Sequence, residues 1–118
     1  MPPMKIEILN ENFSVASQII TRDLTEIKNL GYKTVICNRP NGEEGATPSE
    51  IVEQEAKDIG LNFVNLPVLS GCLTSQNAID MVEIISKSEK PILAYCRSGS
   101  RSKELFKLCN EQQKREKN

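Results

Sequence analysis

The chain has 118 residues, 38% of them hydrophobic and 26% charged, the balance of an ordinary soluble globule with one core, so a single domain over residues 1–118 is expected. With 15 basic and 16 acidic residues the formal charge is -1, and aromatics are 4% with no Trp, which removes both the positive field and the stacking platforms that nucleic acid needs. No apolar run reaches the roughly 18 residues of a membrane span and no segment has the layout of a signal peptide, so no membrane partner and a cytoplasmic location are expected.

In chain order, Met1-Pro2-Pro3 is expected to fray, and residues 4–9 (MKIEIL) and 13–16 (FSVA) read as short strands parted by the turn-prone Asn10-Glu11-Asn12. Thr21 is placed to cap a helix over about 22–30, whose Leu24, Ile27 and Leu30 share a stripe and which Gly31 ends. The run Lys33-Thr34-Val35-Ile36-Cys37 is too short for a helix and apolar enough for a buried strand. A long loop rich in Pro, Gly and Asn follows from Asn38 to Ala46. Thr47 then reads as an N-cap, with Pro48 at the first helical position and Glu50 in a capping box, opening a helix to Ile59 closed by Gly60.

Leu61–Leu66 is the next strand, 67–74 a loop, and Thr74 caps a helix through Ser88 with Ala78, Val82 and Ile85 on its core side. Residues 91–95 (PILAY) form another buried strand, followed by a glycine-containing loop and a helix with Leu105, Leu108 and Cys109 on one face; 111–118 (EQQKREKN) carry no apolar anchor and are expected to fray. This alternation implies an α/β fold, a mostly parallel sheet of four or five strands flanked by helices. Ligands in such sheets sit beyond the strands' C-terminal ends, where the loops after Cys37, Leu66 and Tyr95 should converge.

The chemistry is expected in the last of these loops, Cys96-Arg97-Ser98-Gly99-Ser100-Arg101-Ser102. A loop wrapped around a helix N-terminus points unpaired amides at an anion, and Gly99 lets it curl. The same field, with Arg97 and Arg101, favours a thiolate at Cys96, so no histidine is required, and the chain has none. Cys96 is the candidate nucleophile and Arg101, with its planar fork, the catalytic anion-binding arginine. Arg97, Ser98, Gly99, Ser100 and Ser102 are assigned to anion binding, and Arg39 is added as a guess. Cys37 and Cys109 lie on apolar stripes and read as core filling, while Cys72, in the loop SGCLT, is either an incidental loop thiol or a resolving thiol. The four cysteines show no Cys-x-x-Cys spacing, so disulfides, a metal ion and a cofactor are not expected.

A Cys-loop-Arg cradle serves phosphatases, which also need an acid for the leaving oxygen, and sulfurtransferases, which carry sulfane sulfur as a persulfide. Here four residues separate Cys96 from Arg101, one fewer than in tyrosine-phosphatase-like loops, and the loop 67–73 holds no carboxylate. Glu43 and Glu44 are the only loop carboxylates on that edge. The smaller ring of amides favours sulfur transfer from thiosulfate or a low-molecular-weight persulfide through a Cys96 persulfide. The alternatives are a protein-tyrosine or dual-specificity-like phosphatase using a Cys96 phosphocysteine, and a non-catalytic domain that binds an anion or docks a partner.

The stretch YCRSGSRS at 95–102 resembles the active-site loop of single-domain rhodaneses. FSVASQI at 13–19, TVICNRPNGEE at 34–44 and LPVLSGCLT at 66–74 together resemble the bacterial DUF442 family, the phosphatase-like domain of beta-lactamase-hydrolase-like proteins. That resemblance implies a tyrosine-phosphatase-like α/β fold, Cys96 as nucleophile, Arg101 as anion-binding arginine and amides from Arg97 to Ser102. It also implies a small anionic substrate (thiosulfate, glutathione persulfide or a phosphoester) and a persulfide dioxygenase as a partner in sulfide metabolism. Cys37 departs from the polar or apolar residue expected in that strand.

Overall fold

The computed structural model describes residues 4–117; Met1-Pro2-Pro3 and Asn118, assigned to frayed termini, lie outside the described residues. The elements are β1 (Ile6–Asn10), β2 (Phe13–Ala16), α1 (Asp23–Asn29), β3 (Thr34–Cys37), α2 (Ser49–Ile59), β4 (Asn62–Asn65), α3 (Ser75–Lys87), β5 (Ile92–Tyr95) and α4 (Ser100–Lys117). They build one α/β sandwich around a 5-stranded sheet of order β1-β2-β5-β3-β4. β2, β5, β3 and β4 run parallel, and β1 joins β2 antiparallel through a turn in which the Asn10 side chain accepts from the Asn12 amide.

The strands alternate between two cores. Val35 and Cys37 of β3 and Leu93 and Tyr95 of β5 pack with Leu24, Ile27, Val52 and Ala56 from α1 and α2. Ile36, Ile92 and Ala94 face the other way, onto Met81, Leu105 and Cys109 from α3 and α4. Because β2, β3 and β5 are covered on both faces, their residues are buried throughout rather than alternately. Among the described residues no helix is long and apolar enough to cross a membrane.

Three local expectations are corrected. Thr47 does not cap α2: its N-cap is Pro48, which offers no side-chain oxygen, and Asn41 reaches over from the loop to accept from the Ser49 amide at 2.9 Å while donating to Glu50. Thr21 gives way to Arg22 as the N-cap of α1, with no side-chain cap bond. α4 continues as helix to Lys117, through the stretch expected to fray. By contrast, Thr74 caps α3 with a reciprocal box to Asn77, and Gly60 ends α2 in a left-handed turn.

Candidate active site

Four loops leave the C-terminal ends of the parallel strands and meet around residues 96–102, so an ordinary sheet edge becomes a site. Cys96 follows β5 directly and is anchored by its amide to Ala16 O of the neighbouring β2. The Gln18 amide donates to Arg97 O, tying in the loop after β2. Gly99, at φ 97°, turns the chain so that its own amide donates to Cys96 Sγ at 3.1 Å, and its α-carbon packs against the Ala16 backbone. A Cβ there would lie in ordinary contact with the Ala16 backbone, so the cost of a side chain comes from the positive φ. Ser98 Oγ accepts from the Ser100 amide at the start of α4, so the loop caps its own helix.

A second ring holds this loop. Asn38, fully buried after β3, binds Tyr95 O through its amide and Leu66 O through its side-chain nitrogen, and receives the Ser102 hydroxyl at 2.9 Å. Its carbonyl accepts from Val68 and, at 3.5 Å, from Arg101. One side chain thus joins the loops after β3, β4 and β5. Arg101, with 8% of its side chain exposed, presents Nη1 and Nη2 to the two Glu43 oxygens at 2.9 and 3.1 Å. Nη1 also binds Val68 O, while the buried Nε has no partner. The fork is therefore fixed by Glu43, and Nε remains a buried donor without a protein partner.

The hydrogen bond from Arg101, followed by that from Arg39, holds the Glu43 carboxyl below the usual glutamate range against the opposing effect of burial. Burial pushes the Cys37 thiol up, and pushes Cys109 up to about 11, which suits their place in the cores. Cys72 is exposed.

A cavity of about 490 Å³ opens on this assembly. Cys96, Arg97, Ser98, Ser100 and Arg101 contribute to it from the loop, Ser70, Gly71 and Leu73 from the segment after β4, and Glu104 and Leu108 from α4. The structure thus gathers Cys96, Arg97, Ser98, Gly99, Ser100 and Arg101 in one place. Ser102 and Arg39 are placed differently. The Ser102 hydroxyl is consumed by Asn38 outside the cavity lining, and Arg39, buried, gives Nε to Glu43, Nη1 to Gln18 and Nη2 to Glu44 O. Arg39 braces the residue that braces Arg101. Glu43, one of the two loop carboxylates on this edge, is an ion-pair partner of Arg39 and Arg101.

Sequence reasoning missed Gln18, Asn38, Glu104 and the pocket role of Leu108. The helical spacing of Arg101, Glu104 and Leu108 on one face was a signal for the last two; for Gln18 and Asn38, whose bonds are long-range, none was available.

The fold and this loop define a phosphatase-like domain. The chain belongs to the family described as "Beta-lactamase hydrolase-like protein, phosphatase-like domain", whose model matches residues 5–113. It is 31% identical over 106 residues to the beta-lactamase hydrolase-like protein of Xylella fastidiosa strain Temecula1, covering 89% of this chain and 25% of that one. The chain thus spans about a quarter of the length of the curated relatives it matches. Among solved structures, a candidate phosphatase of Neisseria meningitidis is 32% identical with a TM-score of 0.77, over 84% of this chain and 71% of that chain. A DUF442 candidate phosphatase of Shewanella putrefaciens shares the fold with a TM-score of 0.82 at 16% identity, over 93% of this chain and 69% of that one. These relatives favour the phosphatase alternative over the sulfurtransferase first expected, for which they offer no support.

Proposed function

We propose that the domain hydrolyses a small phosphate ester through a Cys96 phosphocysteine. The observation that carries this reading is the Gly99 amide directed at Cys96 Sγ, in a cavity that Arg101 also lines and with the Arg101 Nε left without a partner, in a phosphatase-like fold. The thiolate attacks phosphorus and the P–O bond to the leaving group breaks, its electron pair departing with that oxygen. Loop amides and the Arg101 Nε edge hold the phosphoryl oxygens as their charge grows. Water then attacks the phosphocysteine, the S–P bond breaks, and phosphate and the Cys96 thiolate are released. Glu43 is held ionised by two arginines, so leaving groups that are stable as anions, such as phenolates, suit this site.

Sulfur transfer is the second reading, favoured by the four-residue gap between Cys96 and Arg101 and by the engagement of Glu43. A persulfide dioxygenase would then be the partner that consumes the product. The two readings separate when wild type and Cys96→Ser are given an aryl phosphate, and separately thiosulfate with cyanide or glutathione. Cysteine-dependent phosphate release is expected. Thiocyanate or sulfide formation with no phosphate release would replace the first reading with the second.

A further inference from the structure

Two cavities border the candidate loop. The larger, about 490 Å³, holds Cys96 with Arg97 and Arg101, and the smaller, about 260 Å³, is lined by Lys5, Glu7, Gly99 and Lys103. Ser98 and Ser100 belong to both, so these two exposed serines, their hydroxyl oxygens 3.1 Å apart, form the rim between them. Four cations thus line the pair of cavities against two carboxylates, Glu104 and Glu7, in a chain whose formal charge is -1. Glu43 pairs with Arg101, but its single charge is shared with Arg39. Lys103 meets Glu7 at 2.7 Å with 39% and 55% of the two side chains exposed, a contact that water weakens. Arg97 and Lys5 are exposed and make no ion pair among the described residues.

The backbone holds these two cations beside one another. The Lys5 amide donates to Ser17 Oγ and its carbonyl accepts from the Ser17 amide, while the next amide, that of Gln18, donates to Arg97 O. Lys5 and Arg97 are therefore fastened to one dipeptide, next to the serine rim. Glu104, Leu73 and Leu108 line only the larger cavity, so a second anion on that side would meet a carboxylate and leucines. The smaller cavity is the direction that rewards it.

We propose that the site takes substrates carrying a second phosphate, held over the Ser98–Ser100 rim by Arg97 and Lys5 while the first occupies the loop at Cys96. The inference deepens the phosphatase reading and rests on it for the reacting group. Two unpaired cations match the charge of a phosphate dianion without any existing ion pair having to break, and the serine hydroxyls between them supply further donors.

The test is binding to Cys96→Ser protein, which needs no turnover, by calorimetry. The ligands are phenyl phosphate and the bisphosphates of catechol, resorcinol and hydroquinone, which set the second phosphate at three distances from the first. At least one bisphosphate is expected to bind about tenfold tighter than phenyl phosphate. In the same background Arg97→Gln and Lys5→Gln should each cut that ratio to about threefold, and the double variant should abolish it. Lys107→Gln, an exposed position on α4 outside both cavities, should keep it. Bisphosphates that bind no tighter than phenyl phosphate, no saturable binding of any ligand, or an equal loss of preference in Lys107→Gln overturns the proposal. Phosphate release by wild-type protein without the binding preference would overturn this inference alone. An intact preference alongside wild-type protein that releases no phosphate would overturn the phosphatase reading alone.

Discussion

Glu43 and Arg101 are 58 positions apart in sequence and meet through paired contacts of 2.9 and 3.1 Å. Glu43→Gln should lower kcat/KM for an aryl phosphate by about 10- to 100-fold, because a misdirected fork no longer matches the developing charge. The folded carboxyl titrates below its unfolded value, so the unfolded chain binds more protons between the two, and stability rises with pH there. The contribution of Glu43 is present above the ordinary glutamate range and is lost as pH falls through the folded value. Urea unfolding of wild type and Glu43→Gln should therefore diverge at pH 7 and converge in acid. Gly99→Ala carries a backbone cost of about 1–2 kcal/mol from its positive φ, read as a lower urea midpoint. At this scale the candidate loop was legible because its parts are contiguous in sequence: cysteine, glycine and arginine all fall where a strand gives way to a helix. The roles of Glu43, Asn38 and Arg39 were not, because each depends on partners brought in by other strands. The same carboxylate that reads as an acid in isolation becomes a brace once two arginines reach it.

The elements show where local rules win and where tertiary contacts override them. Thr74 and Asn77 satisfy each other within one turn, so the start of α3 was readable. α2 takes its cap from Asn41, eight positions before Ser49, which no local pattern encodes. Asn41→Ala should destabilise the domain by about 1 kcal/mol, whereas Thr47→Ala should leave thermal unfolding nearly unchanged. Ser102→Ala in the first turn of α4 leaves Asn38 Oδ1 buried without its donor, at a cost of about 1–3 kcal/mol. The core stripe of α3 was read as Ala78, Val82 and Ile85; Ala78 and Met81 are the buried pair, with Val82 and Ile85 packed at the margin, a modest rotation of the same face. On α4, Leu108 was assigned to the core with Leu105 and Cys109, and it turns instead toward the cavity.

Across the whole molecule, the alternation of strands and helices made the parallel sheet legible, but strand order was not encoded in any single segment. β5, late in the chain, is inserted between β2 and β3. It hydrogen-bonds to both, with Leu93 opposite Ser14 on one side and Val35 on the other. Without it the sheet divides into the β1–β2 ribbon and the β3–β4 pair, neither of which has a complete core. A chain ending at Glu89 should therefore give no cooperative thermal transition, although it retains three of the four helices.

The strand that completes the sheet also delivers Cys96 as its next residue. A growing chain on the ribosome would hold neither a closed domain nor the proposed nucleophile until the same few residues emerge, and any partially folded species that has lost β5 would lose the candidate site with it. On the proposed function, turnover would thus report directly on whether β5 has been set in place.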